Sequence, residues 1–171
     1  MTIALRDPEH RISPRAVLLW LIQQVLGAAI YVGLAWLVAF WIDGSGWSFI
    51  PGWVHDNIRW LPLIAGLILF PLAFAEAFWR YAVHRWEFSG DVVYARSGWL
   101  SREWVFVPVG RVQTVDKTQG WLERLLGLAT LEIRTASYAG STSIKGLDYA
   151  VAANLAEQIA LRAQQLRDDA T

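Results

Sequence analysis

The feature that most constrains this chain is a run of uncharged residues near its beginning. Residues 16–42 contain no charged side chain. As an α-helix this run would be roughly 40 Å long, which exceeds the hydrocarbon core of a bilayer at about 30 Å. It is too long for the apolar core of a signal peptide, and no small-residue cleavage site follows it. The run predicts a transmembrane helix, because the alternative, a buried helix of a soluble domain, rarely lacks charge over this length.

A second apolar segment at residues 60–79 predicts a second membrane helix. A connector rich in glycine and proline, residues 43–59, separates it from the first. The second segment carries no charge before Glu76, and Arg80 follows at the i+4 spacing of an ion pair on one helix face. We therefore expect these two side chains to pair at the membrane surface.

The hydrophobic residues that make up 55% of the chain are concentrated in its first 80 positions. The chain should accordingly consist of a polar N-terminal tail at residues 1–15, a two-helix transmembrane hairpin at residues 16–80 and a water-exposed domain at residues 81–171. Basic residues predict the topology, since cytoplasmic flanks carry an excess of arginine and lysine. The connector contributes only Arg59, so both termini are expected in the cytoplasm. The arginines on the predicted inner side are Arg6, Arg11, Arg15, Arg80 and Arg85.

From residue 81 the pattern becomes typical of short strands separated by turns. The segment 85–109 reads as strand, Ser-Gly-Asp turn, strand, Ser-Gly turn and strand, and residues 130–135 alternate apolar with polar side chains. Asp148 is a plausible N-cap for a final helix. That helix would carry an apolar stripe at Leu155, Ile159, Ala163 and Leu166. About six antiparallel strands with a packed C-terminal helix predict a small curved barrel and an α+β fold.

One short helix interrupts the predicted strands. A turn this short is not stable by itself, because helix nucleation is unfavourable. We expect the barrel to bury its apolar face and to leave Glu123 and Arg124 in water, with Gly127 as the C-cap. The apolar residues that share this face are Trp121, Leu122, Leu125 and Leu126.

The order of elements and three segments of the chain resemble the YdbS-like bacterial PH-domain membrane proteins. The segments are RSGWLSR, VPVGRVQTVDKTQGWLERLLGLATLEIRTA and IKGL. The resemblance is strongest over residues 85–147, and GWLERLLGLATL at residues 120–131 is its most specific part. It implies a PH-like antiparallel β-barrel with a C-terminal helix on the cytoplasmic side of the bacterial inner membrane. It brings no catalytic residues, no cofactor and no known ligand. Members often occur beside a larger membrane protein with more copies of the domain, which implies such a partner by analogy.

The inventory of reactive side chains argues against an enzyme. The chain has no cysteine, and His10, His55 and His84 fall in different predicted regions, so neither a thiol nucleophile nor a three-ligand metal site is expected. No nucleophile and base stand together in the sequence. With 15 basic and 15 acidic residues, the chain also lacks the positive charge typical of nucleic-acid binding.

Two groups of residues are candidates for binding. The first hairpin has Asp91 at its turn, where an acid would repel a lipid phosphate. The second turn is therefore the candidate contact with the membrane interface, the alternative being that Trp99 packs in the core. This group comprises Arg96, Trp99, Leu100 and Arg102.

The second group is either a partner-binding face or simply the solvated side of a strand and helix. It comprises Arg111, Gln113, Asp116, Lys117, Gln119, Glu123 and Arg124. The leading interpretation of the chain is a docking or assembly module on a membrane anchor. The alternative is a module that binds or senses anionic lipid at the cytoplasmic leaflet.

Overall fold

A computed structural model of the chain describes residues 7–46, 49–136 and 141–169. The chain divides into two compact units: Trp20–Phe78 forms one, and Met1–Leu19 together with Trp79–Thr171 forms the other. Arg6, which the charge pattern assigns to the inner side, lies outside the described residues, as do positions 47 and 48 of the connector.

The two predicted membrane segments are long helices. Helix α1 spans Arg15–Ser45, a short helix α2 spans Gly52–Asn57, and α3 spans Leu61–Val83 after a single 3-10 turn. Arg15–Ser45 and Gly52–Val83 are both long and apolar enough to cross a membrane. Most of their large apolar side chains are exposed, as Leu67 is at 78%. A long apolar helix with an exposed apolar surface is what a lipid environment favours.

The β domain contains two antiparallel sheets. One sheet has the strand order β1-β2-β3-β4 and the other β5-β6-β7. The predicted strands on either side of the Ser-Gly-Asp turn are confirmed, and Gly90 in that turn has a φ of +58°. The strands are β1 His10–Arg11, β2 Arg85–Ser89, β3 Val92–Gly98, β4 Arg102–Pro108, β5 Val112–Thr118, β6 Leu128–Thr135 and β7 Thr142–Asp148.

The core of the domain consists of buried side chains from both sheets and from one side of the last helix. Two further helices complete the domain, α4 at Trp121–Leu126 and α5 at Tyr149–Asp168, and α5 packs on the second sheet. Three residues of the apolar stripe predicted on α5 are buried, and the fourth, Leu166, is half-buried. The predicted α+β fold is confirmed, with two long apolar helices followed by antiparallel sheets and a C-terminal helix. Its most deeply buried side chains include Val93, Val107, Leu131, Ile133, Leu147, Leu155, Ile159 and Ala163.

The segment before α1 contributes to the β domain. Strand β1 pairs with the start of β2, His10 opposite Trp86 and Arg11 opposite Arg85. Ile12 beside it is 3% exposed. The sequence predicts only a polar tail here, because a two-residue strand has no periodicity to recognise.

The junction between β7 and α5 is attached to the start of α1. The backbone N–H of Ser13 donates to the carbonyl oxygen of Gly146 at 2.9 Å, and its hydroxyl donates to the Asp148 carboxylate at 2.8 Å. Asp148 stands at the N-cap of α5 as predicted, but its side chain makes no capping hydrogen bond. Its carboxylate binds Ser13 instead and lies 3.9 Å from Nη1 of Arg15.

Helix α4 and its cap are where the sequence places them, with Gly127 in the left-handed conformation, but its predicted burial is wrong. Trp121 is 71% and Leu125 is 75% exposed, and only Leu122 and Leu126 are partly buried. The domain therefore covers only half of the apolar face of α4.

The expected solvation is confirmed for Arg124, which is exposed, whereas Glu123 is half-buried. Its carboxylate accepts hydrogen bonds from the backbone N–H of Gly120 at 2.7 Å and from the hydroxyl of Thr130 at 2.8 Å. Gln119 donates to the carbonyl oxygen of Leu128 at 2.6 Å. Polar contacts to β6 therefore fix α4, in addition to the two half-buried leucines.

Candidate functional site

The tip between β3 and β4 presents the predicted membrane-contact residues. Leu100 is 86% exposed and Trp99 37% exposed, and Arg102 is also exposed. The indole N–H of Trp79, near the end of α3, donates to the carbonyl oxygen of Trp99 at 2.8 Å. This bond holds the tip next to the end of an apolar helix. The three residues lie together on the surface. Trp99 is partly exposed, so it does not occupy the core position that was the alternative.

Arg96, the fourth member of that group, does not lie at the surface. Its side chain is only 7% exposed and pairs with the carboxylate of Asp7. Its Nε donates to the carbonyl oxygen of Val83 at 2.8 Å, and another nitrogen to that of Ala82 at 3.4 Å. The last carbonyls of a helix lack intrahelical partners, so Arg96 caps α3 and is not available to lipid.

The ion pair at Arg96 also affects the segment before β1. The hydrogen bond from Arg96 lowers the pKa of the Asp7 carboxyl below its usual value. A carboxyl whose folded pKa is lowered stabilises the fold above its unfolded pKa and loses that contribution as the pH falls through the folded one. Asp7 is itself exposed, so solvent screens the interaction.

The predicted partner face is not one surface in the structure. Asp116 and Lys117 are consecutive on β5 and thus point to opposite faces of the sheet. Lys117 lies 3.8 Å above the ring of Tyr149 on α5, whereas Asp116 lies 3.9 Å from Arg134 on β6. Gln119 binds the backbone carbonyl of Leu128, and Glu123 binds the backbone N–H of Gly120 and the hydroxyl of Thr130. The remaining members of the group are exposed: Arg111, Gln113 and Arg124.

The acid at the first hairpin has a structural partner. Asp91 forms an ion pair with Arg162 of α5 at 2.6 Å, and this pairing raises the pKa of the Arg162 guanidinium. The turn is thus tied to the C-terminal helix. No sequence signal pointed to this contact, because its two residues are far apart in the chain.

A groove between β2 and α5 was not predicted from the sequence. It has a volume of about 400 Å³, with Trp86 and Phe88 on one wall and Val151 and Leu155 on the other. The ring of His10 lies 5.0 Å from that of Trp86. The period-2 spacing of the two aromatic residues was the available signal, since it places both on one face of a strand. Two amide side chains, Asn154 and Gln158, complete the lining.

Within the three described ranges, no group of three or more histidine, cysteine, aspartate or glutamate residues could hold a metal ion.

Burial lowers the pKa of His84, whose Nδ1 lies 2.7 Å from the carbonyl oxygen of Arg80. This histidine therefore contacts the end of α3.

A comparison with protein families gives the context for this arrangement. The Bacterial PH domain family matches residues 16–163. The chain belongs to this family. A relative, the UPF0699 transmembrane protein YdbS of Bacillus subtilis (strain 168), is 31% identical over 166 residues, which cover 95% of this chain and 98% of the relative. No solved structure matches the chain. The predicted YdbS-like family is thus confirmed, and this bacterial PH-domain chain is a membrane protein with a PH-like domain.

Proposed function

We propose that this chain is a non-enzymatic docking module in the bacterial inner membrane, which assembles with a larger membrane protein that carries related PH-like domains. The observation that carries the proposal is the groove between β2 and α5. Its aromatic and aliphatic walls offer apolar contacts, and the amides of Asn154 and Gln158 offer hydrogen bonds. Concave sites with apolar walls and a few polar groups are typical of binding sites.

The edge of β2 indicates how a partner would occupy the groove. Strand β1 pairs only with Arg85 and Trp86, so the rest of that edge, through Phe88 and Ser89, has no neighbouring strand among the described residues. An extended peptide segment can add to such an edge through its backbone and place alternate side chains in an adjoining pocket. An apolar, extended segment of the partner's cytoplasmic portion fits these requirements.

Photocrosslinking in native membranes tests this docking site. A photoreactive residue at Gln158, which lines the groove, is expected to form an adduct with a membrane protein. The same residue at Leu161, exposed on α5 but outside the groove lining, serves as the matched control. Val151→Lys should reduce the adduct from position 158, because it places a cation in the apolar wall. Equal adducts from both positions, or an adduct insensitive to Val151→Lys, would rule out the groove.

The proposed topology has both termini in the cytoplasm and the connector outside. Its support is the distribution of arginines, with Arg11, Arg15, Arg80 and Arg85 flanking one side and Arg59 the other. Since the chain has no cysteine, single-cysteine variants can be labelled with an impermeant maleimide. We expect labelling of Asp56→Cys in intact cells, and of Glu9→Cys and Asp169→Cys only after permeabilisation. Labelling at position 169 in intact cells would contradict this topology.

A second candidate function is the binding of anionic lipid at the tip between β3 and β4. It is favoured by the exposure of Leu100 and by the hydrogen bond that holds Trp99 to Trp79 near the end of α3. Arg102 would supply the cation. A photoreactive residue at Leu100 distinguishes the two functions: lipid adducts support this candidate, and protein adducts alone count against it.

A further inference from the structure

We infer that helix α4 is a membrane-contact element, which places Trp121 and Leu125 in the headgroup region of an anionic bilayer surface. The inference rests on the membrane attachment of the chain and does not depend on a partner in the groove. Trp121 and Leu125 are four residues apart and thus share a face of the helix. They are 71% and 75% exposed, whereas Leu122 and Leu126 on the adjoining side are partly buried against the domain.

The helix is held rigidly although half of its apolar face is uncovered. The Glu123 carboxylate accepts hydrogen bonds from Gly120 and Thr130, and Gln119 binds the carbonyl oxygen of Leu128. These contacts fix α4 at its start and to β6. The exposed side chains are therefore presented on a fixed support, which lowers the entropy cost of a contact surface.

The position of α4 identifies what covers this face. A Cβ atom at Gly127, the C-cap of α4, would lie 3.4 Å from Nη1 of Arg15, the first residue of α1. The backbone N–H of Tyr149 donates to the carbonyl oxygen of the same glycine. All these residues belong to one compact unit. The C-terminal end of α4 therefore contacts the residue at which the first apolar helix begins.

The sequence after Arg15 sets the level of the membrane surface. Residues 16–42 carry no charge and form a helix roughly 40 Å long, so a hydrocarbon core of about 30 Å that α1 crosses begins within about 10 Å of Arg15. A six-residue helix is about 9 Å long, and the interfacial layer of one leaflet is roughly 5–8 Å thick. Helix α4 ends beside Arg15, so it is close enough to reach this layer.

The chemistry of the face suits an anionic interface. Tryptophan is enriched at the membrane–water boundary, where its ring is in an apolar layer and its N–H near water. Arg124 is exposed on the helix, and Arg15 retains 65% of its side-chain exposure. Glu123 is half-buried and accepts two hydrogen bonds, and Asp148 lies 3.9 Å from Arg15. Arg124 is therefore the exposed cation on α4 that can contact an anionic headgroup.

Site-directed fluorescence on the full chain tests the inference. The protein is reconstituted in nanodiscs of phosphatidylcholine and phosphatidylglycerol, with a fluorophore on Leu125→Cys. The matched control carries the fluorophore on Leu161→Cys, because Leu161 is an exposed residue of α5. We expect a lipid with a nitroxide near its headgroup to quench the fluorophore at position 125 several-fold more strongly than at position 161. Aqueous iodide should quench the fluorophore at position 161 more strongly than the one at position 125.

Each other outcome of this experiment overturns the inference. If iodide reaches both fluorophores equally, α4 faces water. If position 125 is protected from iodide but not quenched by the labelled lipid, a protein covers α4, and the bilayer is the wrong occupant. A second variant examines the charge: Arg124→Gln should weaken the lipid quenching at position 125 in discs with phosphatidylglycerol. An equal effect in discs of phosphatidylcholine alone contradicts the anionic preference.

Discussion

Replacement of Gly146 with alanine is expected to destabilise the β domain strongly. Gly146 has a φ of +75°, and its added Cβ would lie 2.6 Å from the Cβ of Ala16. A left-handed conformation costs a residue with a Cβ about 1–2 kcal/mol, and overpacking in a core typically costs ~1–3 kcal/mol. Ala16 is fully buried in the first turn of α1, so the contact cannot be relieved by a side-chain rotation.

The combined loss at Gly146→Ala is on the order of 2–5 kcal/mol, a large part of the ~5–15 kcal/mol that stabilises a typical domain. Thermal unfolding of the full chain in detergent, followed by the β-sheet circular dichroism, should show Tm lower by about 10 °C or more. Gly90→Ala is the matched control, because Gly90 has a φ of +58° but open space around its added Cβ. Similar changes in Tm for both variants would mean that close packing against α1 is unimportant.

The second large effect distinguishes a buried leucine of β6 from an exposed leucine of α4. Leu131 on β6 is fully buried, while Leu125 on α4 is 75% exposed. Leu131→Ala is expected to lower the free energy of unfolding by about 2–5 kcal/mol, through lost burial and a cavity. Leu125→Ala removes little buried surface and should change it by no more than about 0.5 kcal/mol.

Denaturant unfolding of both alanine variants in the same detergent compares these two free energies. The substitution is identical in the two chains, and helix and strand propensities differ by at most about 1 kcal/mol, so a larger difference reports burial. A strong destabilisation by Leu125→Ala would restore the buried position expected from the sequence and would remove the basis of the membrane contact at α4.

Several elements could be predicted because their signal is local. The uncharged run at residues 16–42 predicts a span, and α1 extends over Arg15–Ser45. The Ser-Gly-Asp turn predicts the hairpin between β2 and β3, since only a glycine adopts a φ such as the +58° of Gly90 without strain. Gly127 predicts the end of α4 for the same reason.

Positions that depend on distant contacts could not be predicted. Arg96 has the sequence context of an exposed turn, yet the structure uses it to bind the last carbonyls of α3. Glu123 has the position of a solvated residue on a helix, yet β6 brings Thr130 to its carboxylate. A helical or strand period identifies residues that share a face, but it does not identify the element that covers that face.

The sequence by itself determined the two apolar helices, the strand-rich second half, the apolar stripe of α5 and the family to which the chain belongs, because each depends on residues close together in the chain. Only the tertiary structure decided that β1 joins β2, that α4 exposes Trp121 and Leu125, and that a groove opens beside α5. These features arise where segments far apart in the chain meet, and the free energy of such contacts depends on packing that no local pattern specifies.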